Sequence, residues 1–221
     1  MQLQLAQEVL DKLEKMEPDV FQDLVNRDDY VLSEGDFKGR NVLDAGANVG
    51  LFSVIAAVSG AKTILAFEPN AASFGKLTDN CRQYPNIHPL RFAIHDGSQP
   101  ACKTAGDGQV CTVTPDSAGD VPVVTLQQAT ALFPPSDNDL LLKMDIEGSE
   151  FPALYTDGGN GLRRFRTIML ETHSKQDPSQ CDALNSFVIE RGFRLVHAAG
   201  VFVFPGGTFS GQAVTKYERI D

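Results

Sequence analysis

The chain carries a glycine turn with the spacing of a nucleoside-binding loop. Asp44, Gly46 and Gly50 form a D-x-G-x-x-x-G pattern that begins inside the apolar run 41–45. Glycine lets the backbone approach a ligand with no Cβ in the way, and the free N–H groups at the start of a following helix attract polar ligands. Because the turn has an acid of its own, it suits a cationic, amino-acid-bearing nucleoside better than a pyrophosphate.

A second acid, Glu68, ends the next apolar run, 64–68. In a βαβ unit, an acid at the end of the second strand can accept hydrogen bonds from both hydroxyls of a ribose. The dinucleotide fingerprint G-x-G-x-x-G does not occur at the first turn. The two signals together predict a nucleoside-type cofactor and leave a dinucleotide-dependent oxidoreductase as the weaker alternative.

Three more acids stand close together further along the chain. Asp145, Glu147 and Glu150 fall within six residues, directly after the apolar run 139–144. Ligands of open α/β sheets bind outside the carboxyl ends of the strands, and like charges this close repel one another. The cluster therefore predicts a polar ligand, a metal or a proton transfer. The alternative is that Glu147 and Glu150 stabilise the first turn of the following helix.

His173 is the histidine best placed to act as a general base. It alternates with Glu171 in the apolar run 166–173, so both side chains point to one side of the predicted strand. The ordinary pKa of histidine suits proton removal near neutral pH. A structural role at the end of the strand is the alternative.

Strand and helix patterns alternate along the chain and must position these side chains. Apolar runs predict strands at 41–45, 64–68, 88–94, 139–145 and 166–171, and helical spacing predicts helices at 51–58, 71–84 and 180–191. This alternation predicts an α/β fold, a three-layer α/β/α sandwich. A hairpin is expected around Gly200, with the stretch 212–219 completing the edge of the sheet.

Two stretches stand apart from this pattern. Residues 1–40 have helical spacing and predict an N-terminal helical cap; the alternative is a lid over the cofactor or the face of a homodimer. Residues 97–120 are rich in glycine, serine, threonine and proline, and they predict an inserted loop or short hairpin beside the active site.

Three segments of the sequence resemble a known enzyme family. DAGANVG at 44–50, FEPN at 67–70 and KMDIEGSE at 143–150 resemble the FkbM family of S-adenosylmethionine-dependent methyltransferases, over about 39–203. The resemblance implies a Rossmann-like class I methyltransferase fold, with a mostly parallel seven-stranded sheet and a C-terminal antiparallel hairpin. It also implies a methyltransferase domain over 41–221 and S-adenosylmethionine as the cofactor.

The resemblance implies roles for the residues singled out above. On this basis the methionine end of the donor would lie against Asp44, Gly46, Asn48 and Gly50, its ribose against Glu68 and its adenine against Ala93 and Ile94. The catalytic candidates are Asp145, beside the methyl group, and Glu147, Glu150 and His173, which would orient and deprotonate the acceptor. The family favours O-methylation of a hydroxyl on a sugar or natural-product acceptor.

Composition excludes several other classes of protein. The content of 42% hydrophobic and 22% charged residues is that of an ordinary globular protein. A net charge of −10 and the lack of a basic run argue against nucleic acid as a partner. No start resembling a signal peptide and no apolar run near the ~20 residues of a membrane span occur. We therefore expect a cytoplasmic protein that acts away from membranes.

The cysteines and histidines do not have the spacing of a zinc site, so we expect no resident metal. A weaker variant of the methyltransferase hypothesis has a divalent metal at Asp145 together with Glu171 or His173. The four cysteines are expected to be free thiols, although Cys102 and Cys111 could face each other across a hairpin.

A second class of function stays open beside the enzyme. The chain could be a non-catalytic module that binds a nucleoside in the glycine turn without chemistry. The acids present at the ends of both predicted strands argue against this alternative.

Overall fold

The computed structural model describes residues 3–27, 29–106, 111–174, 179–199, 202–203 and 209–220. The strands in chain order are β1 (Asn41–Ala45), β2 (Thr63–Phe67), β3 (Ile87–Leu90), β4 (Ala93–Ile94), β5 (Ala101–Ala105), β6 (Thr112–Pro115), β7 (Val121–Val124), β8 (Leu140–Met144), β9 (Phe165–Ser174), β10 (Phe193–Ala199), β11 (Phe202–Val203) and β12 (Phe209–Arg219). The helices are α1 (Gln7–Met16), α2 (Pro18–Phe21), α3 (Glu34–Phe37), α4 (Leu51–Val58), α5 (Ala71–Cys81), α6 (Leu126–Thr130), α7 (Glu150–Tyr155) and α8 (Ser179–Ile189). A π-helical turn (Gln22–Asn26) follows α2, and a 3₁₀ segment (Thr156–Arg164) follows α7.

The main sheet has seven strands in the order β10-β12-β9-β8-β1-β2-β3, and β11 pairs with β12 outside this path. β3, β2, β1, β8 and β9 are parallel, whereas β12 runs antiparallel to both of its neighbours. Hydrophobic clusters cover both faces of the sheet. The predicted α/β sandwich, with its mostly parallel seven-stranded sheet and C-terminal antiparallel hairpin, is confirmed.

The position of the last strand differs from the sequence-based expectation. The stretch 212–219 belongs to β12, which pairs with β9 on one side and with β10 on the other. Its residues 214–217 are buried, as an interior strand requires. The prediction that this stretch completes the edge is therefore wrong, because β10 occupies the edge. The turn of the hairpin expected around Gly200 lies outside the described residues.

The central strands follow from their apolar runs. All five residues of β1 and all five of β8 are buried, as expected for parallel strands that are covered on both faces. α4 begins directly after the glycine turn. α5 begins at Asn70, whose side-chain oxygen accepts hydrogen bonds from the backbone N–H groups of Ala72 and Ser73. Each βα connection therefore ends in a fixed turn at the same edge of the sheet.

Within the stretch 97–120, β5 and β6 belong to a second, smaller sheet of order β4-β7-β5-β6. β5 and β6 are antiparallel, with Cys102 opposite Pro115 and Ala105 opposite Thr112. The prediction that Cys102 and Cys111 face each other is wrong, because Cys102 lies opposite Pro115 and Cys111 precedes the first residue of β6. The buried Cys102 packs instead with Ala93 and Val121.

The N-terminal helices pack against the cluster that covers one face of the main sheet, where Leu13 and Phe37 are fully buried. A buried ion pair joins this region to the sheet, because Lys216 Nζ of β12 lies 2.7 Å from Asp36 Oδ2. The same ammonium group donates to the Val31 carbonyl oxygen at 2.9 Å. Among the described residues, no helix is long and apolar enough to cross a membrane.

Candidate active site

A cavity of about 350 Å³ opens at the carboxyl ends of β1, β2, β8 and β9. This volume lies within the range of small-molecule sites. The glycine turn forms one part of its wall and the acids after β8 form another. The predicted site residues that line it are Gly46, Asn48, Glu68, Ala93, Ile94, Asp145 and Glu147.

Gly46 is the point at which two backbone segments of the site touch. Its φ is +77°, and a Cβ at this position would lie 1.7 Å from the carbonyl oxygen of Asp145. Only glycine tolerates both the left-handed backbone and this approach. The absence of a side chain at Gly46 therefore brings the glycine turn and the acids after β8 into one site.

Glu68 holds the glycine turn and α5 together. Its Oε2 accepts a hydrogen bond from the Asn48 backbone N–H at 2.9 Å, and its Oε1 accepts one from Asn70 at 2.8 Å. Burial raises the pKa of the Glu68 carboxyl, while these two N–H groups oppose the rise. Each carboxylate oxygen has a further lone pair, so Glu68 can accept hydrogen bonds from a ligand as well.

Asp44 and Gly50 lie behind the cavity wall. The Asp44 side chain is fully buried, and its Oδ2 accepts a hydrogen bond from the Ser53 hydroxyl at 2.6 Å. Gly50, with φ +93°, faces Leu77 and Cys81 of α5. In this arrangement both residues support the glycine turn from below. Their predicted contact with the donor stays a prediction.

Lys143 links the parts of the site and was not among the predicted site residues. Its ammonium group donates to the Gly46 carbonyl oxygen at 2.8 Å and lies 3.6 Å from Asp44 and 3.5 Å from Asp145. Burial would lower the pKa of Lys143, but the charges of Asp145 and Asp44 outweigh it and raise the pKa. The sequence did contain a signal for this role of Lys143, since a lysine within the apolar run of β8 is expected to be buried and a buried lysine needs charged or polar partners.

Glu150 is a structural anchor of the loop after β8. It is fully buried, and its carboxylate accepts hydrogen bonds from the backbone N–H groups of Ile146 and Gly148 at 2.9 and 3.0 Å. Glu147, between them, has φ +55° and lines the cavity. A non-glycine residue in this conformation stores strain, which proteins retain chiefly at functional sites. Glu150 thus shapes the loop that presents Glu147.

His173 lies among four carboxylates. Its Nδ1 is 3.1 Å from Glu150 Oε1, and its Nε2 is 3.8 to 3.9 Å from Asp145, Glu147 and Glu171. Burial would lower the pKa of His173, but Glu150 and the other acids raise it to about 9. The imidazole therefore holds a proton at neutral pH. In this arrangement it suits charge compensation better than the predicted role of general base.

The N-terminal region supplies a third part of the cavity wall, called here the N-terminal wall. Tyr30, which is buried and lines the cavity, donates its hydroxyl hydrogen bond to Glu171 Oε2 at 2.8 Å. Burial and the charge of Glu171 raise the pKa of Tyr30 well above its ordinary value. Val20, Leu24 and Arg27 line the same wall. These contacts join positions far apart in the chain, which local patterns do not reveal.

The cavity fits S-adenosylmethionine, the nucleoside donor that the family resemblance implies. The side-chain oxygen of Asn48 is buried and has no hydrogen-bond partner among the described residues, so it is available to a ligand N–H group. Glu68 can receive ribose hydroxyls. Phe92, Ala93 and Ile94 add an apolar wall suited to an adenine ring.

The fold is that of solved methyltransferases. The chain matches a provisionally assigned RNA methyltransferase of Pyrococcus horikoshii with a TM-score of 0.55 at 14% identity, over 98% of this chain and 100% of that one. It matches the fibrillarin pre-rRNA processing protein of Methanococcus jannaschii with a TM-score of 0.52 at 13% identity, over 83% and 68% of the two chains. At these identities the likeness shows the fold alone.

A curated relative is the hexuronic acid methyltransferase AglP of Haloferax volcanii. The two sequences are 26% identical over 161 residues, which are 65% of this chain and 60% of the relative. The chain thus spans less than two thirds of the relative's length. The model of the methyltransferase FkbM domain matches residues 44–195, which contain the glycine turn, Glu68, the acids after β8 and His173. The chain therefore belongs to the FkbM methyltransferase family, and the cofactor of its methyltransferase domain is S-adenosylmethionine.

Proposed function

We propose that this protein transfers a methyl group from S-adenosylmethionine to a hydroxyl oxygen of a sugar or another small natural-product acceptor. The observation that carries the proposal is the single cavity that joins Asn48 and Glu68 at one end to Asp145 and Glu147 at the other. Binding in one cavity would hold the methyl carbon of the donor close to the acceptor oxygen and in line with it. Such positioning is a main contribution of an enzyme whose donor is already activated.

The donor end would be formed by the glycine turn, Glu68 and the apolar wall. Gly46 leaves room for the methionine part, and the Asn48 oxygen would receive a hydrogen bond from its ammonium group. Glu68 would accept the ribose hydroxyls, with Ala93 and Ile94 against the adenine. When bound, the cofactor supplies an electrophilic methyl carbon, which bonds to the acceptor oxygen as its bond to sulfur breaks.

The acceptor end would be formed by the acids and by the N-terminal wall. Asp145 follows β8 and contacts the glycine turn through its backbone, so it lies beside the donor end. Glu147 lines the cavity within 3.8 Å of His173 Nε2. We assign to Glu147 the proton that the hydroxyl loses, and to the cationic His173 the stabilisation of the surrounding acids. Tyr30 lines this end of the cavity and donates a hydrogen bond to Glu171.

A small hydroxylated acceptor agrees with the size and charge of the protein. A cavity of about 350 Å³ accommodates a small acceptor in addition to parts of the donor. The net charge of −10 opposes binding along a phosphate backbone. The Haloferax volcanii relative is a hexuronic acid methyltransferase, which supports a sugar acceptor. The exclusion of nucleic acid stays a prediction, because the fold is also that of RNA methyltransferases.

The first test is cofactor binding, measured by calorimetry with S-adenosylhomocysteine. The wild-type protein should bind it, whereas Glu68→Ala should bind at least tenfold more weakly. Asp116→Asn, a change of an acid that directly follows β6 and does not line the cavity, should bind as the wild type does. Binding that is unaffected by Glu68→Ala would contradict the assignment of the donor end.

The second test is methyl transfer from radiolabelled S-adenosylmethionine to a panel of hexoses, hexuronic acids, glycosides and transcribed RNA. The proposal predicts labelled sugars whose label survives mild alkali, because methyl ethers are stable and methyl esters hydrolyse. A label lost in alkali would indicate a carboxylate acceptor. Label found only in RNA would overturn the small-molecule proposal.

A further inference from the structure

Three side chains of types that can bind a metal converge at the acceptor end of the cavity. Ligand atoms of Asp145, Glu171 and His173 all lie within 4.8 Å of one another. His173 Nε2 is 3.9 Å from Asp145 Oδ1 and 3.9 Å from Glu171 Oε1. These separations are too long for hydrogen bonds. They are close to the separation of about 3–4 Å between atoms that share one divalent cation.

The backbone places these three residues together. Glu171 and His173 are two positions apart in β9, so their side chains leave the same face of the strand. β8 is the parallel neighbour of β9, with Met144 opposite Leu170, and Asp145 follows it directly. The ligands therefore come from two adjacent strand ends, which the sheet holds in a fixed relation.

The ring of His173 is oriented as in a metal site. Its Nδ1 faces the fully buried Glu150 carboxylate at 3.1 Å, which leaves Nε2 directed at the carboxylates of Asp145 and Glu171. Histidines that bind metals regularly donate their other ring N–H to a carboxylate, which fixes the tautomer and the ring. Glu150 is itself fixed by two backbone N–H groups.

In the carboxylates of Glu171 and Asp145, one oxygen faces a neighbouring side chain and the other faces His173. Glu171 Oε2 accepts a hydrogen bond from the Tyr30 hydroxyl at 2.8 Å, while its Oε1 is the atom that faces His173. Asp145 Oδ2 faces the Lys143 ammonium at 3.5 Å, while its Oδ1 faces His173. Each of the three residues thus has one atom held by a neighbour and one atom directed at a common point.

We propose that Asp145, Glu171 and His173 bind one divalent cation of the Mg²⁺ or Mn²⁺ class. Two carboxylate oxygens and one imidazole nitrogen suit a hard cation that also accepts nitrogen, and Mn²⁺ meets both conditions. The cation would replace the proton on His173 Nε2 and take over the charge compensation of the surrounding acids. Glu147, 3.8 Å from His173 Nε2, adds negative charge beside the site. This inference departs from the sequence-based expectation of no resident metal. It favours the weaker hypothesis given in the sequence analysis, a divalent metal at Asp145 together with Glu171 or His173.

The role of the cation toward the acceptor rests on the proposed function. A hydroxyl oxygen that coordinates a divalent cation loses its proton more readily. The proton would pass to Glu147, and the methyl carbon would then bond to the oxygen while its bond to the donor sulfur breaks. A sugar carries neighbouring hydroxyls, so it could present two oxygens to one cation.

The test is a titration with Mn²⁺ in the absence of any acceptor, followed by the loss of the free-ion electron paramagnetic resonance signal. The wild-type protein should bind one Mn²⁺ per chain, and Mg²⁺ should compete. Glu171→Gln and His173→Gln should each weaken the affinity by more than tenfold. Tyr30→Phe removes only the support of Glu171, and a smaller loss, about tenfold, is expected.

Asp29→Asn is the matched control. Asp29 lines the same cavity and makes an ion pair with Arg27, and this change removes the same charge outside the three-residue cluster. It should bind Mn²⁺ as the wild type does. Failure of the wild type to bind Mn²⁺, or equal affinity in Glu171→Gln, His173→Gln and the wild type, would overturn the proposed metal site.

The two proposals fail separately. S-adenosylhomocysteine binding by each variant in chelator reports on folding and on the donor end, because neither depends on the cation. A wild-type protein that binds S-adenosylhomocysteine but fails to bind Mn²⁺ would refute the metal site alone. A wild-type protein that binds Mn²⁺ but fails to bind S-adenosylhomocysteine would refute the donor end of the proposed function alone.

Discussion

Substitution of Gly46 by alanine measures the contact that unites the site. A Cβ at Gly46 would lie 1.7 Å from the Asp145 carbonyl oxygen and 2.8 Å from its carbon, at a φ of +77°. The left-handed backbone costs an alanine roughly 1–2 kcal/mol, and overpacking adds roughly 1–3 kcal/mol. We therefore expect Gly46→Ala to lower the free energy of unfolding by about 2–5 kcal/mol.

Gly39 provides a control that separates the two terms. Its φ of +75° is nearly that of Gly46, but a Cβ there would meet no atom within 4 Å. Gly39→Ala should cost only the backbone term, about 1–2 kcal/mol. Gly75 lies inside α5, and a Cβ there would meet no atom within 4 Å. Gly75→Ala should therefore raise the free energy of unfolding by about 0.5–1 kcal/mol. The three variants span the expected range in one protein.

The assay is urea unfolding of the three variants, combined with calorimetric titration of S-adenosylhomocysteine. Gly46→Ala should be less stable than Gly39→Ala by about 1–3 kcal/mol, the overpacking term. It should also bind the ligand more weakly, because the Asp145 backbone must move, whereas Gly39→Ala should bind normally. Equal stabilities of Gly46→Ala and Gly39→Ala would refute the close approach and the argument built on it.

Three further predictions address the charges of the protein. Lys143→Met should lower the free energy of unfolding by about 3–5 kcal/mol in urea, because it leaves the buried Asp44 carboxylate without its cation. Glu68→Gln should cost about 1–3 kcal/mol in the same measurement, since an amide oxygen replaces only one of the two acceptors that Asn48 and Asn70 use. Burial opposes ionisation of Asp96, but hydrogen bonds to its carboxylate lower its pKa to about 2. Its stabilising effect is thus complete above the ordinary pKa of about 3.9 and disappears as the pH falls toward 2. Asp96→Asn should therefore be less stable than wild type at pH 6, and the two urea midpoints should converge in acid; a constant difference would contradict the assignment.

The sequence predicted those parts of the fold that depend on local patterns. The run 41–45 is β1 and the run 51–58 is α4, each with the predicted bounds. Asn70, a residue type that favours helix N-caps, caps α5. Buried parallel strands and capped helices have signals within a few residues of themselves, so periodicity and capping rules suffice for them.

The order of the last strands could not be predicted in this way. Either edge or interior placement of β12 is compatible with its alternating residues, and the choice depends on pairing with β9, more than thirty residues earlier. Local patterns indicated a hairpin around Gly200 and the family resemblance indicated a C-terminal antiparallel hairpin, but neither gave the order of β9, β12 and β10. Pairing between distant strands is a tertiary property that local propensity does not specify.

The chemistry of the candidate site was predicted less completely than its location. Glu68, Asp145 and Glu147 line the cavity as expected. The raised pKa of His173 was missed, because it results from the pairing of β9 with the loop after β8, which places His173 against Glu150, Asp145 and Glu147. The role of Tyr30 was missed for the same reason, since its partner Glu171 is distant in sequence.

The interior position of β12 has a consequence for the synthesis of the protein. Until residues 209–219 leave the ribosome, β9 has no partner on one side, and a long apolar strand with an open edge is a template for aggregation. The same strand carries Lys216, which holds Asp36 and the carbonyl of Val31. Completion of the sheet at β9 and fixation of the segment that contains Val31 and Asp36 therefore depend on the same strand. Nascent chains that stop before β12 should depend on chaperones and lack an ordered acceptor end.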